Sequence, residues 1–362
     1  MALIPSTIIT GFLGSGKTTL LNHILQGNHG HKIAVIENEF GQENIDSQIL
    51  IRNSVEQIIE MNNGCICCTV RGDLIAALDS LAQKRSAGEL EFDRIVIETT
   101  GVADPGPVAQ TFFMNDTVAS NYILDSIITV VSARHAMQQL DEHEYARRQV
   151  GFADRLLLSK TDLISISELD LLQARLKRIN PHALIATVDF GRIPLDKVLD
   201  VRGFNLNEKL EIDPQFLTEQ QEAEKPAHVC GPHCHHDEKR TNHLDDISAF
   251  VFQSERPFDP ARLGDFLESM LQSYGPQMLR YKGVLQMNGA DRKVVFQGVH
   301  QLMGTDIVDQ WAEGEARTSK MVFIGKNLPK AIFIHVAYFH YFGCSNFIAN
   351  RQLHNLPYCT LD

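Results

Sequence analysis

The sequence predicts an α/β fold: a mostly parallel sheet with crossover helices, followed by a smaller α+β domain. Two observations predict it. Short apolar runs rich in β-branched residues alternate with amphipathic stretches through the first half of the chain, the pattern of repeated strand–helix units. After a polar, proline-containing interval the apolar runs return in a different order, strand then helix then several strands. The first set of strands is expected at Ser6–Thr10, Lys32–Ile36, Arg94–Glu98, Ser126–Val131, Arg155–Leu158 and Leu184–Val188, with helices over Thr19–Gln26 and around Leu74–Leu81. The second unit is expected to contain strands Ile247–Gln253, Tyr281–Met287, Lys293–Val299 and Ser319–Ile324 and a helix over Pro260–Ser273. The domain reading is therefore 1–200, a His/Cys-rich linker at 201–246, a C-terminal domain at 247–330 and an atypical tail at 331–362.

Composition narrows the classes of function. The chain has 362 residues and 44% hydrophobic content, enough for packed cores. A formal net charge of −12, from 45 acidic and 33 basic residues, repels a phosphate backbone, so nucleic acid is not an expected partner. No stretch reaches the roughly 20 continuous apolar residues of a membrane span; the run Ala331–Phe339 is too short and contains His335. The N-terminus lacks the charged start and cleavage pattern of a signal peptide, so no membrane partner and a reducing, cytoplasmic compartment are expected. Seven cysteines, an odd number with three in four positions, suit thiol or metal chemistry better than a disulfide framework.

Gly11-Phe12-Leu13-Gly14-Ser15-Gly16-Lys17-Thr18 is a complete Walker A loop, with an apolar strand before it and the helical run from Thr19 after it. Gly11, Gly14 and Gly16 let the loop turn its backbone N–H groups inward to phosphate at a helix N-terminus, and Ser15 and Thr19 belong to the same cradle. This makes the first domain a P-loop NTPase. Lys17 is expected on the β- and γ-phosphates and the Thr18 hydroxyl on Mg²⁺. Glu98 ends the strand Arg94–Glu98 and leads into Thr99-Thr100-Gly101, the form of a Walker B segment running to a glycine that senses the γ-phosphate. Its carboxylate either holds Mg²⁺ through water or orients the attacking water. Ser159-Lys160-Thr161-Asp162 has the form of a guanine signature with serine in place of asparagine. Asp162 accepts from both N1–H and the exocyclic amine of guanine, a donor pair adenine lacks, which argues for GTP; Ser159 leaves the strictness of that choice open.

Cys65, Cys67 and Cys68 lie within Gly64–Thr69. Thiolates are soft ligands for Zn²⁺, Cu(I) or Ni²⁺, and a site with few protein ligands keeps a position open for exchange. Vicinal Cys67 and Cys68 also allow redox chemistry. A second ligand-rich segment holds His228, Cys230, His233, Cys234, His235 and His236, with His243 beyond, which suits capture of a borderline-soft ion; a solvated loop without a task is the bland alternative.

With GFLGSGKTTLL, Glu37–Gly41 (ENEFG), Gly64–Cys68 (GCICC), Glu98–Gly101 (ETTG) and Ser159–Asp162 (SKTD), the sequence resembles the CobW family of metal-handling GTPases and its YjiA-like branch, over about residues 5 to 330. The resemblance implies a CobW-type C-terminal domain, a metal-binding role for Cys65, Cys67 and Cys68, and Glu37 as a further ligand or part of a switch. It implies a GTP-hydrolysing metallochaperone of low turnover that couples nucleotide state to transfer of a transition metal, with Zn²⁺ preferred and Ni²⁺ or Co²⁺ open, to a client metalloprotein. Homo-oligomerisation stays open. The segment Ala331–Asp362 departs from the pattern, and its Cys344, His335, His340, His354 and Cys359 are not enlisted as ligands. Rival readings are a zinc buffer with vestigial nucleotide turnover, a GTPase of the RNA- or translation-associated type, for which the acidic chain shows no basic surface, and an ATP-dependent kinase built on the same loop.

Overall fold

The computed structural model describes residues 3–27, 29–37, 49–52, 70–204, 245–312 and 314–333. A seven-stranded sheet has the order β3-β2-β4-β1-β5-β6-β7. Its strands are β1 (Ile4–Thr10), β2 (Ile33–Glu37), β3 (Ile49–Arg52), β4 (Arg94–Glu98), β5 (Tyr122–Ser132), β6 (Arg155–Ser159) and β7 (Leu184–Val188). All neighbours are parallel except β2 and β3, which pair antiparallel at one edge. The predicted α/β class and mostly parallel sheet are thus present, and each expected strand forms within a few residues of its predicted ends. β3 is an addition: four residues at a sheet edge are too short for periodicity to reveal.

The strands of this sheet read as continuous apolar runs because both faces are buried. Successive residues serve opposite cores. Ile8, Ala34, Ile36, Ile95 and Ile97 face one core, while Ile9, Ile33, Val35 and Val96 face the other. The second of these cores is closed by α1 (Lys17–Gln26) through Leu20, Leu21 and Ile24. The first takes residues from α2 (Val70–Ser86), α3 (Pro105–Met114), α4 (Asp116–Asn121), α5 (Ala136–Glu142), α6 (Glu144–Phe152) and α7 (Ile166–Ile179). Helix starts are chemically marked. Asp104 accepts from Gly106 N at 2.9 Å ahead of Pro105 in α3, and Ser165 and Glu168 form a capping box on α7.

A five-stranded antiparallel sheet follows, ordered β11-β10-β9-β12-β8. It comprises β8 (Ile247–Ser254), β9 (Met278–Leu285), β10 (Arg292–Val299), β11 (Leu302–Gln310) and β12 (Ser319–Lys326), with α8 (Pro260–Tyr274) between β8 and β9. Alternation again assigns the faces: Met321 and Phe323 join a core with α8, while Val322 and Ile324 join the core of the first sheet. β11, absent from the sequence reading, is an edge strand whose residues are largely exposed, so it lacks the apolar alternation that marks a half-buried strand. The α8 core reaches past residue 330: Phe333 is buried, with its ring 5.2 Å from Phe250 and 5.1 Å from Phe323. At the other junction Val201 and Phe204 are buried, so packed chain continues into the stretch read as linker. Among the described residues no helix is long and apolar enough to cross a membrane.

Charged and polar groups close the seam between the sheets. Arg280, on β9, is buried and donates to Phe152 O at 3.0 Å, Gly203 O at 2.9 Å and the buried Asp154 carboxylate, with its guanidinium 4.2 Å from the Phe204 ring centre. Arg147 pairs with Asp246 at 2.8 Å, and Arg175 grips Asp245 through two nitrogens at 3.0 and 2.7 Å. Removing one member of a buried pair strands the other, so Arg280→Met is expected to cost about 3 kcal/mol, read as a lower urea midpoint. Adding Asp154→Leu is expected to recover part of that loss; a single variant as stable as the parent would show that the pair does not hold the seam.

Candidate nucleotide and metal site

The phosphate loop joins β1 to α1. Gly11, Gly14 and Gly16 have φ of 137°, 71° and 101°, a region that side chains disfavour. At Gly11 space forbids substitution as well, because a Cβ would sit 2.1 Å from Val130 O of β5. α1 begins at Lys17 with Gly16 as its N-cap and no side chain capping it, so its first N–H groups present the positive end of the helix to the loop. Ser15 Oγ and Thr100 Oγ1, on the two segments that face this point, are buried hydroxyls without a hydrogen-bond partner among the described residues. Such a cradle suits a phosphate chain.

Lys17 is buried and its Nζ lies 3.4 Å from Phe12 O. Burial lowers its pKa from the usual lysine value, and the Glu98 carboxylate raises it part of the way back. Thr18 Oγ1 donates to Glu98 Oε1 at 2.9 Å. A hydroxyl and a carboxylate oxygen this close are hard donors of the kind Mg²⁺ takes. The end of β4 is tied to β1, since Thr99 N donates to Ile9 O at 2.9 Å and Thr99 Oγ1 to Thr10 Oγ1 at 2.9 Å. Gly101 then packs on the loop: a Cβ there would lie 2.6 Å from Leu13 N.

The base motif leans on the same loop. Ser159 Oγ donates to Ser15 O at 2.6 Å, and Lys160 Nζ to Gly14 O at 2.8 Å. Lys160 holds φ of 56°, an uncommon backbone state for lysine. Thr161–Leu163 form a 3₁₀ turn on which Asp162 is exposed. The serine that the sequence reading set against asparagine therefore makes the tie between base motif and phosphate loop itself.

Glu37, the last residue of β2, stands in register beside Glu98 at the end of β4. Cys65, Cys67 and Cys68 lie on the chain between β3 and α2, outside the described residues, as do Asn38–Gly41 and the whole His228–His236 segment. Among the described residues no group of three or more His, Cys, Asp or Glu side chains is arranged to hold a metal ion. One residue that sequence reasoning missed is Gln149, fully buried on α6, whose Nε2 donates to Gly101 O at 3.2 Å and Ala103 O at 3.0 Å. Nothing in a single glutamine on an amphipathic helix signals this.

The family profile described as "CobW/HypB/UreG, nucleotide-binding domain" matches residues 5–187, and "Cobalamin synthesis protein cobW C-terminal domain" matches residues 247–334. The chain belongs to the CobW/HypB/UreG family. It is 41% identical over 328 residues to the zinc chaperone YjiA of Escherichia coli, covering 90% of this chain and 95% of that protein. It is 32% identical over 316 residues to zinc-regulated GTPase metalloprotein activator 1 of Dictyostelium discoideum, covering 77% of this chain and 62% of that one. Its fold matches a solved Zn(II)-bound triple mutant of the YjiA GTPase, in which a glutamate and two cysteines are replaced by alanine, with a TM-score of 0.72, 35% identity and coverage of 94% and 99% of the two chains. This CobW-family chain is a P-loop GTPase.

Ser159→Ala removes one hydrogen bond to the phosphate loop, worth about 1 kcal/mol, and is expected to weaken GTP and GDP about fivefold alike in a fluorescent-nucleotide titration. Unchanged affinity for both would show that the Ser159–Ser15 bond does not support the site.

Proposed function

We propose that this CobW-family GTPase is a zinc chaperone in which nucleotide state sets how tightly Zn²⁺ is held before transfer to a client metalloprotein. The observation that carries the reading is the register of Glu37 beside Glu98, with Glu98 bonded to Thr18 of the phosphate loop. The thiols follow Glu37 in the chain and precede α2, which leads into the strand that ends at Glu98, so in sequence they lie between the two strand ends that face the nucleotide site.

In this reading Lys17 binds the β- and γ-phosphates with the backbone N–H groups of Gly14, Ser15, Gly16, Thr18 and Thr19, and Thr18 and Glu98 hold Mg²⁺. Bound Mg²⁺ supplies neutralisation of the phosphate charge. Gly101 presents its N–H to the terminal phosphate, and Asp162 and Lys160 select and cover guanine. Zn²⁺, the cargo, is held by Cys65, Cys67 and Cys68 with Glu37, four donors of the N/O/S set that zinc takes in tetrahedral sites. The solved relative changes a glutamate and two cysteines, the residue types this chain carries at Glu37, Cys67 and Cys68. His228, Cys230, His233, Cys234, His235 and His236 act as a lower-affinity capture segment. Ni²⁺ and Co²⁺ fit the same donors, and zinc is chosen because YjiA is named for it. Transfer to a client rests on the name of the Dictyostelium relative as a metalloprotein activator.

Zinc affinity measured by chelator competition is expected to differ about tenfold or more between the GTP-analogue and GDP states, and GTP affinity to shift reciprocally when zinc is present. Equal zinc affinities in both states and without nucleotide would defeat the coupling. A Cys67→Ala/Cys68→Ala variant is expected to lose high-affinity zinc while retaining basal GTP hydrolysis; retention of stoichiometric zinc at the parent's affinity would refute the thiol assignment.

A further inference from the structure

Helix α6 touches three functional parts of the molecule. At its N-terminal end His143, its N-cap, stacks on Phe12 of the phosphate loop with ring centres 4.7 Å apart. In its middle, Gln149 gives its side-chain N–H groups to the carbonyls of Gly101 and Ala103. At its C-terminal end Phe152 O accepts from Arg280 at 3.0 Å, and Gly151 packs so closely on β9 that a Cβ would meet Leu279 at 2.8 Å. Asn180 Nδ2 fastens the same end by donating to Val150 O and Ala153 O, both at 2.8 Å.

We propose that Gln149 is a positioning residue for GTP hydrolysis, holding the carbonyl side of the Gly101 turn so that Gly101 stays against the phosphate loop. The proposal rests on the reading of Gly101 as the residue that meets the terminal phosphate. The geometry favours it over a purely structural bond on two grounds. Gln149 is 1% exposed and spends both N–H donors on one turn, and that turn abuts Leu13 of the loop. Its main-chain oxygen is separately held by Thr129 Oγ1 of β5 at 2.8 Å, so the helix keeps its seat when the side chain lets go. A small cavity of about 20 Å³ is lined in part by Phe12, Thr129, Val131, Ala146 and Gln149. Because α6 is also fastened to β9, the same clamp connects the Gly101 turn to the C-terminal sheet.

The test is steady-state hydrolysis together with GDP binding in the full chain, for Gln149→Glu and Gln149→Met. Gln149→Glu sets a carboxylate against two carbonyl oxygens. It is expected to lower kcat at least about tenfold at pH 8 while GDP affinity stays within about twofold. The deficit relative to the parent is expected to shrink as pH falls, because the protonated acid donates one hydrogen bond again. Gln149→Met, with no donor, is expected to show the same kcat loss without the pH-dependent recovery. Unchanged kcat in both folded variants overturns the proposal. So does a matched fall in kcat and GDP affinity, or melting of both variants below the assay temperature with GDP bound, since either outcome makes Gln149 a residue that holds the fold. Gly101→Ala separates this inference from the reading beneath it: normal kcat in Gly101→Ala refutes the role of Gly101, whatever Gln149 does.

Discussion

The buried guanidinium of Arg280 fixes how the two sheets meet, and most of what is distinctive about this structure depends on that seam. Its donors satisfy Asp154, Phe152 O and Gly203 O at once, and its flat face covers the Phe204 ring. A charge taken out of water needs that many partners to be tolerated. With Arg280 satisfied, the apolar face of the antiparallel sheet, including Leu279, Val322 and Ile324, can join the core of the parallel sheet instead of ending in a wet interface. The result is one continuous core shared by both units, which transmits displacement because packed interiors have little slack.

α6 is the element most constrained by this arrangement. A helix that touched only the parallel sheet could tilt with the nucleotide loop, but here Asn180 and Arg280 hold its carbonyl end while Phe12 and the Gly101 turn bear on the rest. The end of β4 and the Gly101 turn thereby neighbour two different parts of the molecule. On one side, Glu98 neighbours Glu37 and the chain toward the thiols. On the other, Gln149 leads to the C-terminal sheet.

Legibility differed by the range of the physics involved. The P-loop was plain in the sequence because its glycines answer a local demand, positive φ and backbone approach, that few other residues meet. Strands β1, β4 and β6 were plain because doubly buried parallel strands are continuous apolar runs. β3 and β11 were not, since β3 is only four residues long and β11 is largely exposed and lacks the apolar alternation of a half-buried strand. Ser159 stands out in the sequence only as a departure from asparagine, and nothing local signals that its hydroxyl lies 2.6 Å from Ser15 O. Polarity alone does not disclose the burial of Val201, Phe204 and Phe333, which depends on surfaces that distant strands provide.

The sequence by itself determined the phosphate loop, the acidic strand end at Glu98, the Ser159–Asp162 turn and the inventory of thiols and imidazoles, because each is a short pattern of adjacent residues. Only the tertiary structure decided that Glu37 stands beside Glu98, that Ser159 braces the phosphate loop and that Gln149 grips the Gly101 turn. Glu37–Glu98, Ser159–Ser15 and Gln149–Gly101 are 61, 144 and 48 positions apart, and no local propensity encodes them. They arise when parallel pairing brings the strand ends to one edge and the shared core presses α6 against it.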